Sequence, residues 1–154
     1  MSTPAGRPTP DPSEPQAATT PPRTSSGPGR ALVAVYGLFA LAATARGVTQ
    51  LITSFHEAPL AYVLSLVAGI IYVVATLTLA RGTATSRRVA LVAVSVELVG
   101  VLAVGTLSVV DPAAFPRATV WSLYGSGYGF VPLVLPVLGL LWLRRTRPRP
   151  TAAR

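Results

Sequence analysis

Four apolar runs, each close to the length of one membrane crossing, leave few folds open to this chain. They cover residues 31–53, 59–80, 89–110 and 123–143. A helix rising 1.5 Å per residue needs ~20 residues to cross ~30 Å of hydrocarbon. Interfacial or helix-breaking residues bound the runs: Gly29-Arg30 before the first, His56-Glu57-Ala58-Pro59 before the second, Arg87-Arg88 before the third, and Asp111-Pro112 after it. The many valines raise the question of a β-barrel. A membrane strand needs only ~9–11 residues of alternating polarity, whereas these runs are apolar at consecutive positions. The predicted fold is an all-α membrane protein, a bundle of four transmembrane helices.

Composition agrees with lipid as the solvent. Charged residues make up 12% of the 154 residues, against about a quarter in a soluble domain, and mean hydropathy is +0.55. The formal charge is +8 and every basic residue is arginine. The arginines gather at the ends of the apolar runs, without the interleaved aromatic or base-reading groups of a nucleic-acid face. They are therefore read as topology signals that also attract anionic lipid. Cysteine is absent and histidine occurs once, so the sequence predicts no disulfide, no thiolate chemistry, no multi-histidine metal cage and no cofactor.

Residues 1–29 hold eight prolines among Ser, Thr, Gly and Ala, too little apolar surface to offset ordering entropy. A disordered cytoplasmic tail is predicted there, and its polar character excludes a cleavable signal peptide. Residues 146–154 are predicted to form a second, basic tail. Eleven arginines (Arg7, Arg23, Arg30, Arg81, Arg87, Arg88, Arg144, Arg145, Arg147, Arg149 and Arg154) fall on one side of the four runs, and one, Arg117, on the other. By the positive-inside rule both termini are cytoplasmic and the protein is multi-pass in the cytoplasmic membrane. Trp142, Trp121 and Tyr124 stand near run ends, where aromatic rings anchor at the interface.

The residues that lipid should reject are the most informative. Glu97 falls near the middle of the third run and Arg46 in the outer half of the first. A charge at such depth costs at least ~2.5–3.5 kcal/mol unless paired or hydrated, so both are predicted to face the bundle interior. Polar and small residues recur at steps of three and four in each run: Ala43, Arg46, Gln50 and Thr53; Tyr62, Ser65, Gly69, Tyr72 and Thr76; Ala93, Glu97, Gly100 and Val104; Gly125, Gly129, Pro132, Pro136 and Gly139. They predict one central seam whose small residues let the helices approach. Counting depth along antiparallel helices predicts a Tyr72–Glu97 hydrogen bond. It also predicts an Arg46 cluster with Gln50, Ser65 and Tyr128. A direct Arg46–Glu97 bridge is the alternative, and it opposes the tendency of a guanidinium to reach towards water.

Other patterns are weaker. Ser126-Gly127-Tyr128-Gly129 matches part of a potassium-channel filter. As a re-entrant filter it would leave too short a span after Phe130, so residues 123–143 are read as one helix. The same glycines lack the Gly-Lys-Ser/Thr ending of a phosphate loop. Ser54, His56, Glu57 and Asp111 share one interface but offer no oxyanion donors, and an enzyme is not predicted. Pro132 and Pro136 are expected to bend the fourth helix.

Ala45-Arg46-Gly47, Ala58-Pro59-Leu60-Ala61-Tyr62, Glu97-Leu98, Gly105-Thr106-Leu107-Ser108, Asp111-Pro112, Thr119-Val120-Trp121-Ser122 and Pro132 to Gly139 carry a resemblance. Through them the chain resembles a group of small, uncharacterised four-helix integral membrane proteins of actinobacteria. The resemblance covers residues 31–143 and implies location and topology, with no catalytic residue. The expected function is that of an accessory or assembly component acting through helix contacts, with a homo-oligomer or another membrane protein as partner. The alternative is a small oligomeric solute or proton-coupled transporter using Glu97 and Arg46, since an acid shielded from water and from any cation is favoured in its protonated form.

Overall fold

Proline opens three of the four long helices of the computed structural model, which describes residues 27–146. Its fixed φ suits the first helical turn, where its missing N–H costs nothing. Helix α1 runs Pro28–Thr53, α2 Pro59–Arg81, α3 Ala84–Val110 and α4 Val131–Arg145. Short 3₁₀ turns at Phe55–Glu57 and Pro112–Ala114 and a kinked segment, Ser122–Tyr128, whose Leu123, Tyr124 and Gly125 are not helical, lie between them, and there is no strand among the described residues. The predicted tails at 1–29 and 146–154 lie outside the described residues, except that Pro28 and Gly29 already belong to α1 and Thr146 caps α4.

The turns are legible one by one. Gly82 adopts left-handed φ (65°) and ends α2, after which Thr83 caps α3, its Oγ1 accepting from Ser86 N at 3.1 Å. A two-residue connection therefore reverses the chain, and α3 begins five residues before the predicted 89. Arg87 and Arg88 sit within its first turns because long guanidinium stems reach an interface without breaking a helix. At the far end, the Asp111 carboxylate accepts from Ala114 N at 3.3 Å and stops α3 where sequence places the stop.

Helices α1 and α2 form the closest pair. A Cβ on Gly69 would stand 2.9 Å from Thr44 N, and one on Gly47 would stand 2.9 Å from Leu66 N. Two backbones thus meet at two levels without intervening side chains. α3 packs on α2, α4 on α3, and α1 approaches α4 more loosely. Large apolar side chains such as Leu41, Ile52, Val92, Val99 and Val110 point outward, Ile52 at 79% exposure, as suits a surface that meets lipid. Helices α1, α2 and α3 are each long and apolar enough to cross a membrane.

The fourth predicted span departs from expectation. Only its second half is α-helix, and the Ser122–Tyr128 segment meets α4 at 99°. The two make one further span if taken together. Leu123, Tyr124, Gly125, Gly129 and Phe130 all have positive φ, so no continuous helix runs from 123 to 143. The broken start of this span has a physical basis. Irregular backbone is tolerated at membrane depth where protein covers it, and here α3 provides the cover.

A candidate polar site in the bundle core

Glu97 is fully buried on α3, between Val94 and Val101. Its Oε2 accepts a hydrogen bond from the Tyr36 hydroxyl at 2.8 Å, and its Oε1 has no hydrogen-bond partner. Tyr36 belongs to α1, in the row Leu32, Tyr36, Ala40, Ala43 and Gly47 that forms the buried face of that helix. Its hydroxyl would lie 3.2 Å from a Cβ on Gly139, so α4 closes the same layer. Tyr72 of α2 stacks at a tilt on Tyr36, with ring centroids 6.2 Å apart, and Phe39 meets Tyr72 edge-on at 5.8 Å.

The predicted Tyr72–Glu97 bond is therefore corrected. Tyr36 takes the carboxylate, while the Tyr72 hydroxyl accepts from Trp121 Nε1 at 3.0 Å. Trp121 is brought there by the chain turning back into the bundle after α3. Its ring covers Gly100, where a Cβ would stand 2.6 Å from Cζ3, and Gly100 lies ten residues, ~15 Å, below the end of α3. A tryptophan read as an interfacial anchor is thus buried in the core.

The returning segment is fastened by hydroxyl groups. Thr119 Oγ1 accepts from the backbone N–H groups of Trp121 and Ser122 at 3.0 and 2.9 Å. Ser108 Oγ on α3 accepts from Leu123 N at 2.8 Å, and Gly105 makes room for Tyr124, whose hydroxyl meets Thr106 at 3.0 Å. Gly100, Gly105 and Ser108 form a track on α3 that receives irregular backbone, and side-chain oxygens of Thr119, Ser122 and Ser108 pair the N–H groups of Thr119, Trp121, Ser122 and Leu123.

Arg46 secures the other side of this segment. Its Nη1 donates to the Tyr128 hydroxyl at 2.8 Å and its Nη2 to the Ala118 carbonyl at 3.3 Å. The residue is exposed, so the prediction that it faces the interior is corrected: its guanidinium reaches Tyr128 and Ala118 from an exposed position on α1. Of the predicted cluster, Tyr128 joins Arg46. Ser65 instead donates to Ala61 O on its own helix at 2.9 Å, and half-buried Gln50 keeps its Oε1 without a partner. Arg46 also stands ten residues from Tyr36 along α1, ~15 Å from the Glu97 layer, so no Arg46–Glu97 bridge forms. A guanidinium beside Tyr128 moreover opposes a cation path along Ser126-Gly127-Tyr128-Gly129.

The Glu57–Arg117 pair behaves as surface. Glu57 accepts from Arg117 Nη2 at 2.9 Å, both side chains more than half exposed, a pairing that adds little stability. Tyr36 is the residue that sequence reasoning missed. It stands at the depth of Glu97 on the small-residue face of α1, a face obscured by the neighbouring Arg46, Gln50 and Thr53. Comparison of the chain with protein-family models, curated proteins and solved structures gives no match.

Proposed function

We propose that the chain is a multi-pass protein of the cytoplasmic membrane, crossing four times with both termini cytoplasmic, and that it serves as an accessory or assembly component working through its helix faces. The observation that carries this reading is the filled bundle axis. Tyr36, Tyr72, Val94, Glu97, Val101 and Trp121 are almost wholly buried on it, while apolar side chains cover the outward faces. A centre packed in this way supports a rigid body that acts from outside. The orientation is supported by Arg30, Arg81, Arg87, Arg88, Arg144 and Arg145 at one end, against Arg117, paired with Glu57, at the other. The resemblance to actinobacterial membrane proteins belongs to the same reading. Affinity purification of the tagged chain in mild detergent tests it: another membrane protein is expected to co-purify in stoichiometric amount, and reconstituted liposomes to show no acid-driven flux.

One observation favours a proton-coupled carrier as the second reading, namely the buried Oε1 of Glu97, which has no hydrogen-bond partner among the described residues. Such a carrier would work through Glu97 and Tyr36, not through an Arg46–Glu97 pair. Acid-driven flux that disappears in Glu97→Gln, in a preparation that stays folded, would replace the accessory reading with this one.

A further inference from the structure

Helix contacts join α1 to α2, α2 to α3 and α3 to α4, but the approach of α1 to α4 leaves a groove of about 720 Å³. Its walls are Leu32 and Val35 on one side and Leu135 and Leu138 on the other, with Trp142 and Arg145 towards one end. From Val131 to Arg145 the α4 wall extends ~21 Å, the depth of one leaflet and a little beyond. The interior of the groove is therefore apolar over the reach of an acyl chain, and its mouth holds a guanidinium.

Charge at that mouth is uncompensated by the described residues. The acids among them are Glu57 and Asp111, which belong to the opposite end, and Glu97, which is buried on Tyr36. Arg145 is exposed, and Arg30 and Arg144 share its end of the bundle. A second copy related by symmetry would bring arginine towards arginine. The chain's own N-terminal segment has no apolar side chain larger than proline after Met1, nothing suited to fill such walls. An amphiphile with an anionic head and a long apolar tail satisfies both features, and basic pockets between helices at a membrane boundary hold lipids of this kind.

We propose that the α1–α4 groove binds one anionic phospholipid from the leaflet at the arginine-rich end, its acyl chain along Leu135 and Leu138 and its phosphate on Arg145. The proposal rests on the chain being membrane-embedded, and uses neither its orientation nor its accessory role. Trp142 provides the readout, because it lines the groove while Trp121, the other tryptophan, is buried and adds a constant background.

The full chain is reconstituted in vesicles of zwitterionic phosphatidylcholine containing a minor fraction of chain-brominated lipid, either phosphatidylglycerol or phosphatidylcholine, and tryptophan quenching is measured. Brominated phosphatidylglycerol is expected to associate about five-fold more strongly than brominated phosphatidylcholine, the worth of one arginine near an anionic headgroup. Arg145→Gln should abolish that preference and Arg145→Lys should keep it. Arg144→Gln removes the same charge outside the groove and should leave the preference intact, and Leu138→Phe, which narrows the groove without adding a tryptophan, should protect Trp142. Equal quenching by both lipids overturns the site while leaving the membrane reading standing. So does an equal loss in Arg144→Gln and Arg145→Gln, which means diffuse surface attraction. A groove that stays unquenched because a second copy or another helix covers it, seen as a cross-linked complex, also overturns it. Absence of quenching by any brominated lipid in an uncomplexed chain sinks the membrane reading as well.

Discussion

Among the described residues, a single hydrogen bond holds the one carboxyl group buried in the core of the bundle. Replacing Tyr36 by Phe leaves both Glu97 oxygens unpaired, and an unsatisfied buried polar group costs ~1–3 kcal/mol. Thermal unfolding in detergent should show Tyr36→Phe destabilised, with Glu97→Leu in the same background recovering part of the loss. An unchanged midpoint for Tyr36→Phe would show that the bond contributes nothing. Steric fit at residue scale is equally testable. In Gly69→Ala the new methyl would stand 2.6 Å from Thr44 Oγ1 and 2.9 Å from Thr44 N, so α1 and α2 must part, at ~1–3 kcal/mol. Gly37→Ala meets only Thr76 Cγ2, at 3.6 Å, and should be tolerated.

Among the elements, the segment from Ala118 to Phe130 is the unusual one, irregular from residue 123 onward where a helix was expected. Left-handed φ costs a non-glycine residue ~1–2 kcal/mol, so the three at Leu123, Tyr124 and Phe130 are held by their surroundings. Phe130 is half exposed and gains least from packing, so Phe130→Gly should leave the unfolding midpoint unchanged or raise it. Gly125→Ala should lower it, because φ is +78° and the methyl would lie 2.7 Å from Pro132 Cγ. Arg46→Ala releases both Ala118 and Tyr128. Hydrogen exchange across residues 118–130 should then quicken while α1 and α2 keep their protection. A uniform rise over the whole chain would show that Arg46 is no local clamp.

For the whole molecule, the proposed topology is the property most readily checked, since the chain contains no cysteine to interfere. A cysteine introduced at Gly82 or Thr146 should react with a membrane-impermeant thiol reagent in intact cells only after permeabilisation. One at Ala113 should react from outside. Reaction of the Thr146 cysteine from the same side as Ala113, with Gly82 still on the other, would leave three crossings and make α4 with the segment before it a re-entrant element instead of a span.

Apolar run length and turn chemistry determined, by sequence alone, the helical class, the existence of α1, α2 and α3, and the stop at Asp111. These are local properties, set by period and by backbone sterics. The identity of Glu97 as the buried acid was also legible, because a carboxyl within an apolar helix has few places to go. Sequence did not reveal its partner, since Tyr36 and Tyr72 reach the same depth and only the descent of Trp121 onto Tyr72 separates their roles. Nor did it reveal the broken start of α4. Residues 123–130 are apolar enough for a helix, and their irregular backbone is stable only because Gly100, Gly105 and Ser108, distant in sequence, shape a surface on α3 that accepts it. Tertiary structure made those choices because each depends on how closely separate helices approach, which no single segment specifies.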